Sequence, residues 1–208
     1  MRAIYYSAYP GFIRLVASMS LFEYIAILVS LVLGLAVSNT LTKVSLMVQF
    51  DEAFRNSWHV LAWSLLVLFS AVGYFFGFWR MYSDRSDISI LEFTLAPFLS
   101  VILFFLVSRF LPVSSAENLK MAREEYFLTY KNVFFFCFIF LWLQLLISIN
   151  ILRNNLGIEA TLLERSQYIL PILLIFGVLL KTTKQQQILV SLYAAVYVVQ
   201  EFISTSIG

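Results

Sequence analysis

Apolar residues run along this chain in long blocks parted by short polar intervals. Six blocks stand out, at residues 21–49, 58–80, 91–111, 132–152, 168–180 and 188–203. About 20 apolar residues cross a bilayer as a helix, so the pattern predicts six transmembrane helices. The fifth block is short, at roughly 20 Å of helical rise, and crosses only if extended toward Leu162 and Lys181. Pro97 lies inside the third block and predicts a kink there. The polar intervals hold Asp51, Glu52 and Arg55, then Asp84, Arg85 and Asp87, then residues 112–130, 153–165 and 181–187, the last read as a tight hairpin. Within 112–130, Ser114 and Glu117 have capping-box spacing. Leu119, Ala122, Tyr126 and Tyr130 recur at helical spacing behind them, which predicts a short interfacial helix feeding the fourth span. The expected fold is all-α: a bundle of six transmembrane helices with one short interfacial helix.

The first block carries a ridge of small residues, Ala26, Ser30, Gly34, Ser38 and Thr42, each four positions after the last. Residues so spaced stack along one side of a helix, and small side chains let a second backbone approach closely in lipid. The ridge is therefore the expected helix-packing surface, with the rest of the bundle built against it. Trp58, Trp63, Tyr74 and Trp79 lie near the two ends of the second block, as an aromatic belt would.

Composition agrees with the pattern. Of 208 residues, 61% are hydrophobic and 12% charged, against about 25% charged in a soluble domain. Six spans leave little chain for a soluble domain. A formal net charge of +2 without a Lys/Arg cluster excludes a nucleic-acid footprint. The single cysteine, Cys137, and the single histidine, His59, rule out an internal disulfide, a bis-histidine haem site and a His-rich metal site, so no cofactor or metal is expected. Residues 1–18 hold Arg2, Arg14 and Pro10-Gly11 and make a poor signal peptide. Met19 opens a cleaner start, so 1–18 is expected to be an N-terminal extension outside the mature fold and 19–208 a single six-helix domain. Eight Lys/Arg on the side of the first, third and fifth loops face six on the other. That bias puts both termini outside and the interfacial helix in the cytoplasm.

The opening Met19-Ser-Leu-Phe-Glu-Tyr24, the helix containing Ser30-Leu-Val-Leu-Gly-Leu35, the Trp-bearing second helix and the aromatic run Phe134-Phe-Phe136 behind Tyr126 resemble a family of uncharacterised bacterial six-helix membrane proteins. The resemblance covers most of the chain from Met19 onward. It implies the same architecture and a multi-pass place in the bacterial inner (cytoplasmic) membrane, and no mechanism.

Candidate chemistry is sparse. Glu23, Ser38, Asn39 and Gln144 are the candidate intramembrane polar site, because polar groups at membrane depth mark pathways. Each also has a plainer structural role: a carboxylate at a helix N-terminus or a bond to a neighbouring helix. His59 reads as an interfacial polar residue. Lys120, Arg123 and Tyr126 are the candidate partner-docking residues. No phosphate loop, HExxH or Gly-x-Ser-x-Gly occurs, which argues against an enzyme. The first functional reading is a transporter or channel subunit, working as a homo-oligomer in the lipid bilayer. The alternatives are a non-catalytic anchor or regulatory subunit for a partner protein and, third, a lipid-modifying enzyme.

Overall fold

The computed structural model describes residues 21–48, 51–82, 92, 94–113, 123–156 and 168–206. It holds six α-helices and, among the described residues, no strand: α1 Leu21–Val48, α2 Asp51–Tyr82, α3 Leu99–Phe110, α4 Arg123–Leu156, α5 Ile169–Leu179 and α6 Thr183–Ser206. Three are long and apolar enough to cross a membrane, over Phe22–Val48, Ser57–Tyr82 and Glu124–Ile151. α3 and α5 are shorter apolar helices of 12 and 11 residues. Outward-facing side chains are largely apolar, including Leu31, Leu35, Phe69, Phe76, Phe140, Leu179 and Val198. Helices apolar on both their inner and outer faces suit lipid rather than water.

Contacts fix the helix directions. Phe22 of α1 stacks on Phe78 and meets Trp79 edge-on near the end of α2, so those two helices run antiparallel. Lys43, late in α1, reaches the end of α3, so α1 and α3 run parallel. Glu124 at the start of α4 accepts a hydrogen bond from Thr183 at the start of α6, and Asn150 late in α4 donates to Tyr168 before α5. The chain thus runs up and down. Neighbours form a circuit, α2–α1–α3–α4–α5–α6 and back to α2, and α2 also touches α3 and α4 across the interior.

Several sequence expectations change. The bundle is centred on α2 rather than α1. Among the described residues the ridge of α1 is not its packing face: Ser30, Gly34, Ser38 and Thr42 are exposed, and a Cβ on Gly34 would meet none of the described residues within 4 Å. Only Ala26 of the five is buried, and the buried face is Phe22, Ile25, Ala26, Val29, Leu33, Ala36, Thr40 and Met47. Larger side chains bury more surface per contact and take the inner face. Ser30 and Thr42 instead donate to carbonyls of their own helix, at Ala26 and Ser38. Asp51, Glu52 and Arg55 lie in the first turns of α2, not in a loop, with a break in helical geometry at Ser57 (φ −107°, ψ 19°).

The described part of the expected interfacial helix, from Arg123, is the start of α4 itself. No glycine or proline interrupts 123–156, so nothing stops one 34-residue helix from forming. In the third block, Thr94–Phe98 forms a π-helical turn around Pro97. A proline lacks the N–H for the helical ladder, and a wider turn absorbs the mismatch. The hairpin at 181–187 is tighter than expected. Thr182 Oγ1 accepts from the Gln185 N–H at 3.3 Å and Gln185 Oε1 accepts from the Thr182 N–H at 3.2 Å. That reciprocal capping box starts α6 immediately. The extension 1–18, Ser114, Glu117 and Lys120 lie outside the described residues.

Candidate functional site

A chain of aromatic rings fills the bundle's middle. Trp63 of α2 is fully buried and meets Phe134, Phe135 and Phe138 of α4 edge-on, at centroid separations of 6.2, 5.1 and 6.4 Å. It meets Tyr193 of α6 at 5.1 Å. This cluster divides the interior into two unlike ends.

At one end stand the lysines. Lys43 Nζ donates to the carbonyls of Ser108, Arg109 and Leu111 at 2.7, 2.7 and 2.8 Å. An ammonium has three donors, and here they meet three carbonyls that the end of α3 leaves open. Lys131, nearly fully buried, does the same for α5, donating to Gly177 O at 2.7 Å and Val178 O at 2.9 Å beside the Phe135 ring. Gln186 adds bonds to Gly177 O and Leu180 O. A cation at a helix C-terminus also meets the negative end of the dipole. His59, expected at the interface, is instead fully buried, with its ring edge-on to Phe127 at 5.1 Å. Neither of its ring nitrogens has a hydrogen-bond partner among the described residues.

At the other end is a half-open cavity of about 590 Å³. Its walls come from α2, the Pro97 turn, α3, α4 and α6. The floor is buried and mostly aromatic, with Phe104 and Phe138, and includes Ser70 and Ser100. Phe76, Arg80 and Met81 are exposed at the mouth. Tyr74, in the wall, donates to Pro97 O at 3.3 Å, which ties α2 to the π-helical turn. Ser70 Oγ is buried and has no partner among the described residues. Trp142 Nε1 and the Tyr193 hydroxyl neighbour one another, yet neither makes a hydrogen bond of good geometry. Buried polar groups are nearly always satisfied; of these three residues Ser70 and Trp142 line the cavity and Tyr193 does not, and the three polar atoms are themselves closed off from solvent. Gly73 supports the wall, since its Cα lets the Tyr197 hydroxyl come close: an added Cβ would lie 3.4 Å from it.

The residues singled out from sequence do not converge here. Glu23 is exposed in the first turn of α1. Ser38 faces outward, while Asn39 donates to Ser108 Oγ at 3.2 Å and joins α1 to α3. Gln144 donates to Ser148 Oγ at 3.1 Å, and Ser148 lines the cavity, so Gln144 alone of the four stands next to it. Tyr126 stacks on Tyr130 at 4.6 Å. No group of three or more His, Cys, Asp or Glu residues that would hold a metal occurs among the described residues.

No family model, curated protein or solved structure matches this chain. The functional reading therefore rests on the geometry above.

The file of polar groups sequence reasoning missed lies on one face of α2. His59, Trp63, Leu66, Val67 and Ser70 are all buried, at spacings of one helical face. The signal was a polar residue recurring inside an apolar stripe, a pattern that Trp63 hid by reading as part of an interfacial belt.

Proposed function

We propose that the chain is a multi-pass membrane protein of six spans that carries a small solute across the bilayer, with the cavity as its binding site. The resemblance noted in the sequence supports a bacterial inner-membrane setting. One observation carries the reading: a half-open cavity large enough for a small organic molecule reaches into the bundle on one side of an aromatic seal, with Ser70, Ser100 and Ser148 among its lining residues. Polar groups at that depth are costly and mark pathways. Among the described residues the rings of Trp63, Phe138 and Tyr193 pack against one another beside the cavity, which favours a carrier that opens to one side at a time over a permanent pore. α3 and α5 span as the shorter members, held at their C-terminal ends by Lys43 and Lys131.

The test uses Ser70→Cys in a Cys137→Ser background, reconstituted in sealed vesicles. A membrane-impermeant thiol reagent should modify Cys at position 70 from the Arg80 side, and more slowly from the lysine side as the carrier turns over. No modification from either side overturns the reading. Equally fast modification from both sides replaces the carrier with an open pore.

A further inference from the structure

We infer that the cavity binds an apolar organic carboxylate, with its charge at Arg80 and its hydrocarbon body against the aromatic walls. This rests on reading the cavity as a binding site, and not on transport.

The donor set decides the charge. Among the described lining residues none is acidic, and Arg80 is the one that is charged. Arg80 only donates hydrogen bonds, while the lining hydroxyls of Ser100, Ser148 and Tyr197 can donate or accept. The charged group of the ligand must therefore bring acceptors. An ammonium ligand would find attractive ring faces, but it would pass a like charge at the mouth and find no described carboxylate. A guanidinium pairs with a carboxylate through two parallel hydrogen bonds, which selects an acid over an alcohol.

Depth decides the body. Arg80 lies ten residues beyond Ser70 on α2, about 15 Å along the helix axis. Between them the walls are Phe78, Phe104, Leu141 and Leu145. That is a cationic rim, an apolar shaft and a floor where Ser70 and Trp142 lie. A medium-chain fatty acid from the bilayer and a water-borne aromatic acid share this chemistry.

The experiment uses the full chain in nanodiscs and tryptophan fluorescence, with 11-bromoundecanoate as probe. Its bromine would sit near Trp142 and quench it. Expected are saturable quenching, loss of that component in Trp142→Phe, at least tenfold weaker binding in Arg80→Gln and retention in Arg80→Lys. The neutral 11-bromoundecanol should bind at least tenfold more weakly than the acid. 6-Bromo-2-naphthoate forms the water-borne arm: tighter binding of the chain assigns a lipid source, and tighter binding of the naphthoate an aqueous one. Equal binding of acid and alcohol overturns the inference. So does quenching unchanged by Arg80→Gln, or no saturable quenching by any probe. If the acid binds while position 70 is closed to thiol reagents from both sides, transport falls and the binding site stands.

Discussion

The two ends of the bundle differ in what their polar groups surround: closed helix ends at one, a cavity at the other. At the lysine end, the open carbonyls of two short helices meet ammonium and amide donors at 2.7 to 3.0 Å. At the cavity end, Ser70 Oγ and Trp142 Nε1 are buried without a well-formed partner. One end spends its ammonium groups on closing helix ends, with the imidazole of His59 buried near them and without a hydrogen-bond partner among the described residues, and the other encloses an open space.

Substitutions at the two ends should therefore differ in sign as well as size. The largest loss is expected from Gly177→Ala. Its Cβ would lie 2.6 Å from Phe135 Cε1, and Phe135 is fully buried among other rings, so neither can retreat. Overpacking of this kind costs about 3 kcal/mol, read as a lower midpoint in unfolding by denaturant of the vesicle-embedded protein. Lys131→Met comes next. It leaves Val178 O without its donor in a part-buried place beside a nearly fully buried Lys131 site, while Gln186 still serves Gly177 O, for about 2 kcal/mol by the same measurement. Lys43→Met should cost less, about 1 kcal/mol, because Lys43 is itself only half-buried, Arg109 O is exposed and takes water, and Leu111 O keeps the Val113 N–H, which leaves Ser108 O as the part-buried carbonyl that loses its donor. If Lys43→Met proves as costly as Lys131→Met, solvent does not reach that end of α3.

At the cavity end the sign reverses. Ser70→Ala removes a buried hydroxyl with no partner among the described residues, so stability should rise by about 0.5 kcal/mol. Any function of the cavity should fall, as at other sites where unspent polar groups are kept for use. A loss of stability instead would mean the hydroxyl is already satisfied, and the contrast between the ends would narrow.

What was legible in the sequence follows from which interactions are local. Block length and hydropathy revealed the all-helical class, because a helix closes its own hydrogen bonds; of the six spans they predicted, three are helices long and apolar enough to cross a membrane. Pro97 announced a disturbance because it lacks a donor. The roles of Lys43 and Lys131 were hidden, since each acts on carbonyls 46 to 68 residues away in sequence. A lysine near the end of an apolar block reads as a charge at the membrane edge until the short helix it caps is in place. His59 was misread for the same reason: its burial depends on Phe127 of α4, which nothing adjacent in sequence reveals. The candidate site was hidden further, because a cavity is made by what five separate segments leave unfilled.

The smallest effect is expected where the sequence pattern looked strongest. Gly34 sits at the centre of the small-residue ridge, and close packing against it would make a leucine there destructive. Yet a Cβ at Gly34 meets none of the described residues within 4 Å, and Leu31 and Leu35 beside it are already exposed. Replacing glycine in a helix removes a backbone-entropy penalty of roughly 0.8–1.0 kcal/mol relative to alanine. Gly34→Leu should therefore leave the unfolding midpoint unchanged or slightly higher. Small-xxx-small ridges act through backbone contact, and a ridge that faces away from its own bundle reaches another backbone only in a second molecule. The native mass in mild detergent separates the two cases. An unchanged mass makes the ridge a lipid-facing surface, where a leucine is as welcome as a glycine. A lower mass with the same midpoint makes it a contact between copies, and places the packing that the sequence pattern foretold outside the single chain.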